Sequence, residues 1–305
     1  MKKIFVIGDI NIDIFCGASE IARMGEEAHM DGVNFSIGGN AANFAVSLGK
    51  LGLKPELVSA IGNDFATGFL VSELKRSGII YNLVKSDHPN GFSIVFLGGE
   101  GERSILSNKG AAGELVVKDI EKRILRKIGE GDLIYIGGYF HLRGMHKAFD
   151  GFLRKAKLRG AVVFFDFCFD EYGLWMKAVK KILKFVDIAF MDCIELETLT
   201  NEKNIKKAIK KLQDSGLKEI VLKLGSRGSA YYSGGESIKR SAYKVKCINS
   251  AGAGDVFNAG FVFGYMKGLG TGDCLKLGNF LAGEKIQRHG IILPSRKEII
   301  GFLKR

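Results

Sequence analysis

Short apolar runs rich in β-branched and aromatic residues alternate with longer amphipathic stretches along this 305-residue chain. Such runs are typical of strands buried on both faces of a sheet. We predict five of them as strands: IFVIG (4–8), LIYIGG (133–138), VVFFDF (162–167), IAFMD (188–192) and IVLKLG (220–225). Helical patterns separate them, for example over residues 40–52, 145–160 and 204–216. The alternation predicts one α/β domain over residues 1–305, with a mainly parallel central sheet covered by helices on both faces.

Two segments depart from this alternation. Residues at about 14–36 and 92–107 combine strand-like composition with glycine-rich turns. We expect them to form a small β-sheet that projects from the main sheet as a lid. Because an exposed strand edge invites pairing, a homodimer through the lid is the assembly that this prediction suggests.

The formal net charge of +12 favours anionic partners. The cations fall mostly in helix-like patches such as NIKKAIKKLQ (204–213), which we interpret as the solvated face of an amphipathic helix. Basic motifs interleaved with aromatic residues are absent from the sequence. We therefore predict phosphorylated small molecules, rather than nucleic acid, as the partners of the basic surface.

Cysteine usage and hydropathy indicate where the protein works. The five cysteines are far apart, with no C-x-x-C spacing, which favours reduced thiols over a disulfide framework or a zinc site. The basic and briefly apolar start, MKKIFVIGDINID, makes a poor signal peptide. No apolar run approaches the about 20 residues of a membrane span. We expect a cytoplasmic protein without a membrane partner.

Polar residues follow the predicted strands. In open α/β sheets, ligands bind beyond the carboxyl ends of the strands. Each such residue alone is more often a helix cap or a surface residue, but together they form a constellation that indicates a site. They are Asp9, Asn11, Asp13, Asp166, Asp192, Glu195 and Lys223.

The stretch INSAGAGDVFNAGFVFGY (248–265) runs from small residues into an apolar helical pattern. With Gly252, Ala253 and Gly254 at its start, the helix offers free N–H groups and the positive end of its dipole to an anion. Asp255 either caps this helix or acts as a base that takes a proton from an alcohol attacking a phosphoryl group. Glycines on both sides of Ala253 allow a phosphoryl group to approach the backbone closely. A helix cap would not require these glycines.

Other phosphate-binding motifs are missing. The sequence has no G-x-x-x-x-G-K-[ST], and GDINID rather than G-x-G-x-x-G follows the first strand. This argues against a P-loop and against a dinucleotide fold, and so against a nucleotide-dependent oxidoreductase.

Two long motifs resemble the signatures of the ribokinase-like (PfkB) carbohydrate kinases. They are GGNAANFA (38–45), with Gly52 and Gly62 at later spacing, and NSAGAGDVFNAGFV (249–262). The resemblance implies a three-layer ribokinase-like fold with a β-sheet lid. It also implies a kinase that transfers a phosphoryl group from a Mg²⁺-bound nucleotide, ATP or else ADP, to a sugar hydroxyl.

The resemblance also implies roles for individual residues. Asp255 would be the catalytic base, and the anion hole would consist of the amides of Ala251, Gly252, Ala253 and Gly254. The residues implied to bind the acceptor are Asn11, Asp13, Gly39 and Asn43. Those implied to bind the nucleotide are Lys223, Gly225, Gly228 and, at the adenosine, Asn279. Glu195 and Asp192 stand in the N-x-x-E element and would organise Mg²⁺.

Departures from the family pattern refine these expectations. Asn249 replaces an aspartate that helps to bind a monovalent cation in potassium-activated relatives, which puts such activation in doubt. Asp170 replaces an arginine, which argues against an acceptor that carries a carboxylate. We therefore expect a pentose, a hexose or a nucleoside as acceptor.

A sugar monophosphate is the alternative acceptor. It would need cations in the pocket, and the candidates are Arg103, on the lid, Lys109 and Arg143. We interpret the five histidines, His141 among them, as structural or surface residues because they lack metal-ligand spacing.

Overall fold

A computed structural model describes residues 2–17, 21–30, 32–98, 103–288 and 290–303. These residues form a nine-stranded sheet and a separate four-stranded sheet. The thirteen strands, in chain order, are β1 (Ile4–Gly8), β2 (Asn11–Gly17), β3 (Val33–Gly38), β4 (Glu56–Ile61), β5 (Ile80–Lys85), β6 (Gly91–Leu97), β7 (Arg103–Asn108), β8 (Leu133–Gly137), β9 (Val162–Asp166), β10 (Ile188–Asp192), β11 (Glu219–Lys223), β12 (Ser229–Ser233) and β13 (Glu236–Arg240).

The larger sheet has the strand order β13-β12-β11-β10-β9-β8-β1-β4-β5. The strands from β11 to β5 run parallel, and β12 and β13 continue the sheet antiparallel. The mainly parallel sheet predicted from the sequence is thus confirmed. Because the strands are parallel, β1, β8, β9, β10 and β11 all end at one edge of the sheet.

The five predicted strands are present, with bounds that differ by one or two residues at most. Four further strands of the large sheet were not predicted. Of these, β5 lies at one edge, and β12 and β13 form the other. Most of their side chains are partly buried or exposed, so these strands lack a continuous apolar run. The fourth, β4, is buried but contains Ser59, which interrupts its apolar pattern.

Helices cover both faces of this sheet, as predicted. They are α1 (Asn40–Lys50), α2 (Phe65–Arg76), α3 (Val117–Ile124), α4 (Phe149–Lys157), α5 (Met176–Val179), α6 (Cys193–Thr200), α7 (Ile205–Asp214), α8 (Ala253–Met266), α9 (Thr271–Ile286) and α10 (Arg296–Leu303). Alternate β1 residues serve two cores: Phe5 and Ile7 pack with α3 to α7, and Ile4 and Val6 with α1, α2 and α8 to α10. None of the helices in the described ranges has the length and apolarity needed to cross a bilayer.

The smaller sheet has the order β3-β2-β6-β7 and forms the separate sheet predicted as a lid. One face is polar, since Asp13, Ser93 and Ser107 stand in register across β2, β6 and β7. The opposite face exposes Phe35 and Leu106. Of the two segments predicted to form this lid, residues 18–20, 31 and 99–102 lie outside the described residues. The homodimer through the lid stays a prediction that the native mass in solution would test.

The close crossing of α8 and α9 depends on two glycines. A Cβ on Gly260 would lie 3.0 Å from the Cα of Gly278, and a Cβ on Gly278 would lie 2.8 Å from the ring of Phe257. The first helix carries the predicted catalytic residue, Asp255, in its first turn, and the second carries Asn279. The packing of these two glycines therefore sets the relative position of two predicted site elements.

We expect Gly278→Ala to lower the free energy of unfolding by about 1–3 kcal/mol, because the added methyl group overpacks the helix crossing. The matched control is Gly151→Ala within α4, where a Cβ would meet nothing within 4 Å. That change should raise stability by about 0.5–1 kcal/mol, since alanine loses less backbone entropy than glycine in a helix. Urea denaturation measures both values. A neutral Gly278→Ala variant would contradict the packing argument.

Candidate active site

The N-terminus of α8 leaves backbone N–H groups free at the carboxyl edge of the sheet. Gly252 has a φ of 74° and precedes the first helical residue. The N–H of Ala251 donates to Asn249 Oδ1 at 2.9 Å, and that of Ala253 donates to the carbonyl of Ser250 at 3.2 Å. Within the described ranges, the N–H groups of Gly252 and Gly254 have no acceptor. Of the four amides predicted to form an anion hole, these two are thus available to a ligand.

Asp255 lies in the first turn of α8 and is buried, with 6% of the residue exposed. Its Oδ2 accepts a hydrogen bond from Asn43 Nδ2 at 2.9 Å, and its Oδ1 lies 3.4 Å from Asn40 Nδ2. Burial raises the pKa of the Asp255 carboxyl well above its ordinary value, and nearby Asp166 raises it further, although the Asn43 amide and Lys223 oppose the shift. A carboxyl group with a raised pKa beside free amides is suited to act as a general base.

An ion pair spans the ends of two strands next to this helix. Lys223 Nζ, at the end of β11, lies 2.9 Å from Asp166 Oδ1, at the end of β9. Burial alone would lower the pKa of Lys223, but Asp166 and Glu195 outweigh it and hold the pKa above its ordinary value. The lysine is therefore charged. A Cβ on Gly254 would lie 3.3 Å from Nζ, so the ammonium adjoins the start of α8.

The two acids predicted to organise Mg²⁺ form a reciprocal cap at the start of α6. The Asp192 side chain accepts from the Glu195 N–H at 2.8 Å, and Glu195 Oε2 accepts from the Asp192 N–H at 2.7 Å. Burial raises the pKa of Glu195 to about 7, while Lys223 opposes the shift and Asp166 adds to it. In the described part of the chain, no group of three potential metal ligands converges. Asp192 and Glu195 each offer carboxylate oxygens, the type of ligand that Mg²⁺ takes while it keeps several of its own waters.

The remaining residues predicted to bind the nucleotide lie around the turn from β11 to β12. Gly225 and Gly228 both have positive φ, 60° and 95°, and a Cβ on Gly228 would collide with the carbonyl of Arg240. Asn279, on α9, donates its amide to the carbonyls of Arg240 (3.1 Å) and Ser241 (3.2 Å). Asn279 thus anchors the chain that leaves β13.

The polar face of the small sheet holds the predicted acceptor residues. Asn11 Nδ2 donates to Asp13 Oδ1 at 2.7 Å and to Ser93 Oγ at 3.3 Å, and Ser107 Oγ donates to Ser93 Oγ at 3.2 Å. Burial raises the pKa of Asp13 to about 6, although the Asn11 hydrogen bond opposes the shift. The result is a ladder of carboxylate, amide and hydroxyl groups along the lid.

Gly39, also predicted to bind the acceptor, shapes the junction between the lid and α1. It has a φ of 96°, and a Cβ there would lie 2.7 Å from the carbonyl of Asp9. Close packing at this junction brings the first turn of α1, with Asn40 and Asn43, next to Asp255.

A buried polar pair that was not predicted lies beside the predicted acceptor residues. His141 Nδ1 lies 3.0 Å from Asp9 Oδ2, and both side chains are more than nine-tenths buried. Burial would raise the pKa of Asp9, but the hydrogen bond and charge of His141 outweigh it and keep the pKa below its ordinary value. His141 is thus buried, which agrees with the structural one of its two interpretations, but its contact with Asp9 was not predicted. Its position four residues after β8 was the available clue.

A cavity of about 400 Å³ adjoins this pair. Its lining comprises Ser107, Asn108, Lys109, Gly110, Gly113, Glu114, His141, Arg143, Glu171 and Tyr172. Because Ser107 belongs to both the lid ladder and the lining, the cavity continues the acceptor face. The cations Lys109 and Arg143 meet here, facing the acids Glu114 and Glu171; Arg103 lies on β7, and its side chain is outside the described residues.

Asp170, which replaces the arginine of many relatives, has a local structural task. It is buried, and its carboxylate accepts hydrogen bonds from the N–H groups of Tyr172 (2.9 Å) and Trp175 (2.5 Å). These bonds hold the loop that carries Tyr172 over Arg143, whose guanidinium lies 4.6 Å from the ring centre. Arg143 in turn lines the cavity.

Comparisons with known proteins agree with this geometry. Residues 1–298 match the family described as pfkB family carbohydrate kinase. A sugar kinase of Archaeoglobus fulgidus is 27% identical over 252 residues, 80% of this chain and 96% of that protein. A 2-dehydro-3-deoxygluconokinase of Haemophilus influenzae is 26% identical over 316 residues and 96% of each chain. The structure of Arabidopsis thaliana ribokinase with ribose and ATP covers 100% of both chains at 26% identity, with a TM-score of 0.81.

We expect Asp255→Asn to stabilise the fold increasingly as pH rises. The folded pKa of Asp255 lies above its unfolded value of 3.8, so ionisation favours the unfolded chain, and stability is lost as pH rises from that value towards the folded pKa. The amide cannot ionise. Thermal denaturation of variant and wild type between pH 4 and 8 measures the difference in stability.

Asp64→Asn is the control, because its effect on stability should depend on pH in the opposite direction. Burial raises the pKa of Asp64, but hydrogen bonds from Asn90, Ala66 and Thr67 together outweigh it and hold the pKa below 3.8. The contribution of the Asp64 carboxylate to the stability of the fold is therefore present at neutral pH and is lost as pH falls through its folded pKa. The variant should be less stable than wild type at pH 7, with a gap that closes in acid. For Asp255→Asn, a difference in melting temperature from wild type that stays constant with pH would contradict the argument that burial raises the pKa of Asp255.

Proposed function

The chain belongs to the pfkB family of carbohydrate kinases and is a phosphotransferase that acts on hydroxyl groups, and from this premise we propose its substrates and mechanism. It transfers the terminal phosphoryl group of ATP to a hydroxyl of a neutral pentose, a hexose or a nucleoside. The observation that carries the proposal is Asp255, a buried carboxyl group beside the free N–H groups of Gly252 and Gly254.

Asp255 is proposed to take the proton of the attacking hydroxyl. Asn43 and Asn40 contact its two oxygens and fix the orientation of the carboxyl group. The proton moves to Asp255 as the acceptor oxygen bonds to phosphorus and the bond to the nucleotide breaks. The amides of Gly252 and Gly254 stabilise the negative charge on the transferred group, because they are already oriented and need no rearrangement.

The donor side is proposed to lie along the ends of β9, β10 and β11. Gly225 and Gly228 let the backbone approach the nucleotide, and Asn279 holds the chain after β13 against α9. Asp192 and Glu195 would hold Mg²⁺ through its waters, and the ion would supply charge neutralisation at the phosphates. ATP is chosen over ADP because it is the usual donor of the family.

A neutral acceptor is supported by the polar face of the small sheet and by the balance of charges in the cavity beside it. Asn11, Asp13 and Ser93 offer donors and acceptors that suit hydroxyl groups. Two acids in the cavity offset its two cations. The relatives do not decide the acceptor, since a sugar-acid kinase and a ribokinase are equally similar, at 26% identity. Closure of the lid over the acceptor would exclude water that otherwise hydrolyses the nucleotide.

A sugar monophosphate is the second candidate acceptor. The observation that favours it is that Lys109 and Arg143 line the same cavity as His141. A phosphate there would meet two cations, and Arg143 could bind it in bidentate fashion. We rank it second because Glu114 and Glu171 line this cavity too.

A phosphorylation screen with Mg-ATP and Mg-ADP against neutral sugars, nucleosides and sugar monophosphates tests the function. We expect turnover with Mg-ATP on a neutral acceptor. Asp255→Asn should lower kcat by about 10²–10⁴-fold, with nucleotide binding retained, because the general base is lost. Turnover of phosphorylated acceptors alone would replace the first candidate with the second. Near-normal kcat in the variant would rule out the proposed base.

We further propose that activity does not require a monovalent cation. Asn249 carries no charge, and Lys285 Nζ, which is buried, donates to its carbonyl at 3.0 Å. The lysine ammonium therefore lies at the loop that starts with Asn249. In the same loop, the Asn249 side chain accepts a hydrogen bond from the N–H of Ala251. We expect equal kcat/KM in potassium and tetramethylammonium salts at the same ionic strength. Activation by potassium alone would contradict this.

A further inference from the structure

The ammonium group of Lys223 lies between the acid at the end of β9 and the first turn of α8. Its Nζ donates to Asp166 Oδ1 at 2.9 Å, and its side chain is 17% exposed, against 2% for Asp166. The aspartate is thus enclosed, whereas the lysine keeps access to solvent. On the other side, Nζ would lie 3.3 Å from a Cβ on Gly254. The lysine therefore adjoins the helix turn that carries Asp255.

This arrangement brings two positive elements to one place. The N-terminus of the 14-residue helix α8 carries partial positive charge, and the N–H groups of Gly252 and Gly254 are free there within the described ranges. An ammonium beside such a terminus is repelled by the dipole, and the pair with Asp166 offsets that repulsion. An anion, by contrast, is attracted by both elements. An anion at this place would therefore have the Lys223 ammonium on one side and the two backbone amides on the other.

We propose that Lys223 is a catalytic residue that contacts the transferred phosphoryl group, and that Asp166 is the positioning residue that holds its ammonium in place. This inference rests on the proposed function. The sequence predicts only that Lys223 binds the nucleotide, and we assign its contact to the terminal phosphate. During transfer, the acceptor oxygen bonds to phosphorus, the bond to the leaving oxygen of the nucleotide breaks, and the acceptor proton goes to Asp255. The lysine keeps its protons and stabilises the charge on the phosphoryl oxygens.

A purely structural role for Lys223 makes a different prediction. Asp166 is enclosed and needs a neutralising partner, so Lys223→Met alone leaves a buried carboxylate unpaired and lowers stability. A double variant, Asp166→Asn with Lys223→Met, removes both charges, so that no carboxylate is buried without a cation. If the lysine served only to neutralise Asp166, the double variant would recover both stability and turnover.

The experiment compares the wild type with Lys223→Met, the double variant and a control. For each we would measure the melting temperature, kcat, KM for the nucleotide, and the dissociation constant of Mg-ADP by calorimetry. The control is Lys157→Met, which breaks an ion pair with Asp187 (2.6 Å) next to the opposite, amino-terminal end of β10. The control should lose some stability and keep kcat.

We expect Lys223→Met and the double variant to lose about 10²–10³-fold in kcat, with KM and the Mg-ADP dissociation constant unchanged, because the contact is made to the group in transfer. The double variant should regain the melting temperature but not kcat. Recovery of kcat in the double variant would overturn the proposal. A rise in KM and in the Mg-ADP dissociation constant with kcat unchanged would also overturn it. That result would mean that Lys223 binds the nucleotide equally well in the ground state and in the transition state.

A second readout requires no turnover. Aluminium fluoride with Mg-ADP mimics a phosphoryl group in transfer, and it should tighten Mg-ADP binding to the wild type and to Lys157→Met. The gain should shrink by about 10²–10³-fold, the factor expected for kcat, in the double variant, which keeps the fold and the two amides. An equal gain in the double variant would overturn the proposal even if no acceptor were found. Failure of the acceptor screen would instead count against the proposed function, so the two failures are distinguishable.

Discussion

The burial of several carboxylates around one lysine, at the carboxyl edge of the parallel sheet, is the constraint on which the site depends. Asp166, Asp192 and Lys223 stand at the ends of adjacent strands, and Asp255 reaches the same edge from α8. Burial of like charges disfavours their ionised forms, as the raised pKa values of Glu195 and Asp255 show. Lys223 opposes both shifts, so its single positive charge sets the electrostatic balance of this edge.

The fold was largely predictable because hydrophobic burial dictates the strand pattern. A strand such as β10 is enclosed on both faces, so its residues must be apolar until the chain reaches the polar edge at Asp192. Edge strands such as β13 face solvent and carry no such signature. The same reasoning placed polar residues at the ends of strands, and so identified most of the residue types that meet in the site.

The pairings within the site could not be predicted, because they depend on the order of strands in the sheet. Asp166 and Lys223 are 57 residues apart in the chain, and they meet only because β10 alone separates β9 from β11. Asp9 and His141 are 132 residues apart and meet because β1 pairs with β8. A histidine or a lysine near the end of a strand has many candidate partners in the sequence, and topology selects one.

The residues proposed to bind the acceptor are divided between the two sheets, and the chain crosses between the sheets at short junctions. Between β1 and β2 there are two residues, Asp9 and Ile10, and both are buried in the main body. The return from β3 passes through Gly39, whose positive φ lets the backbone turn sharply. Any movement of the lid therefore carries Asp13 on β2, while Asp9 stays with His141 at the main sheet. An acceptor held between these two acids would link the sheets directly, so that hydroxyl recognition and closure of the lid become one event.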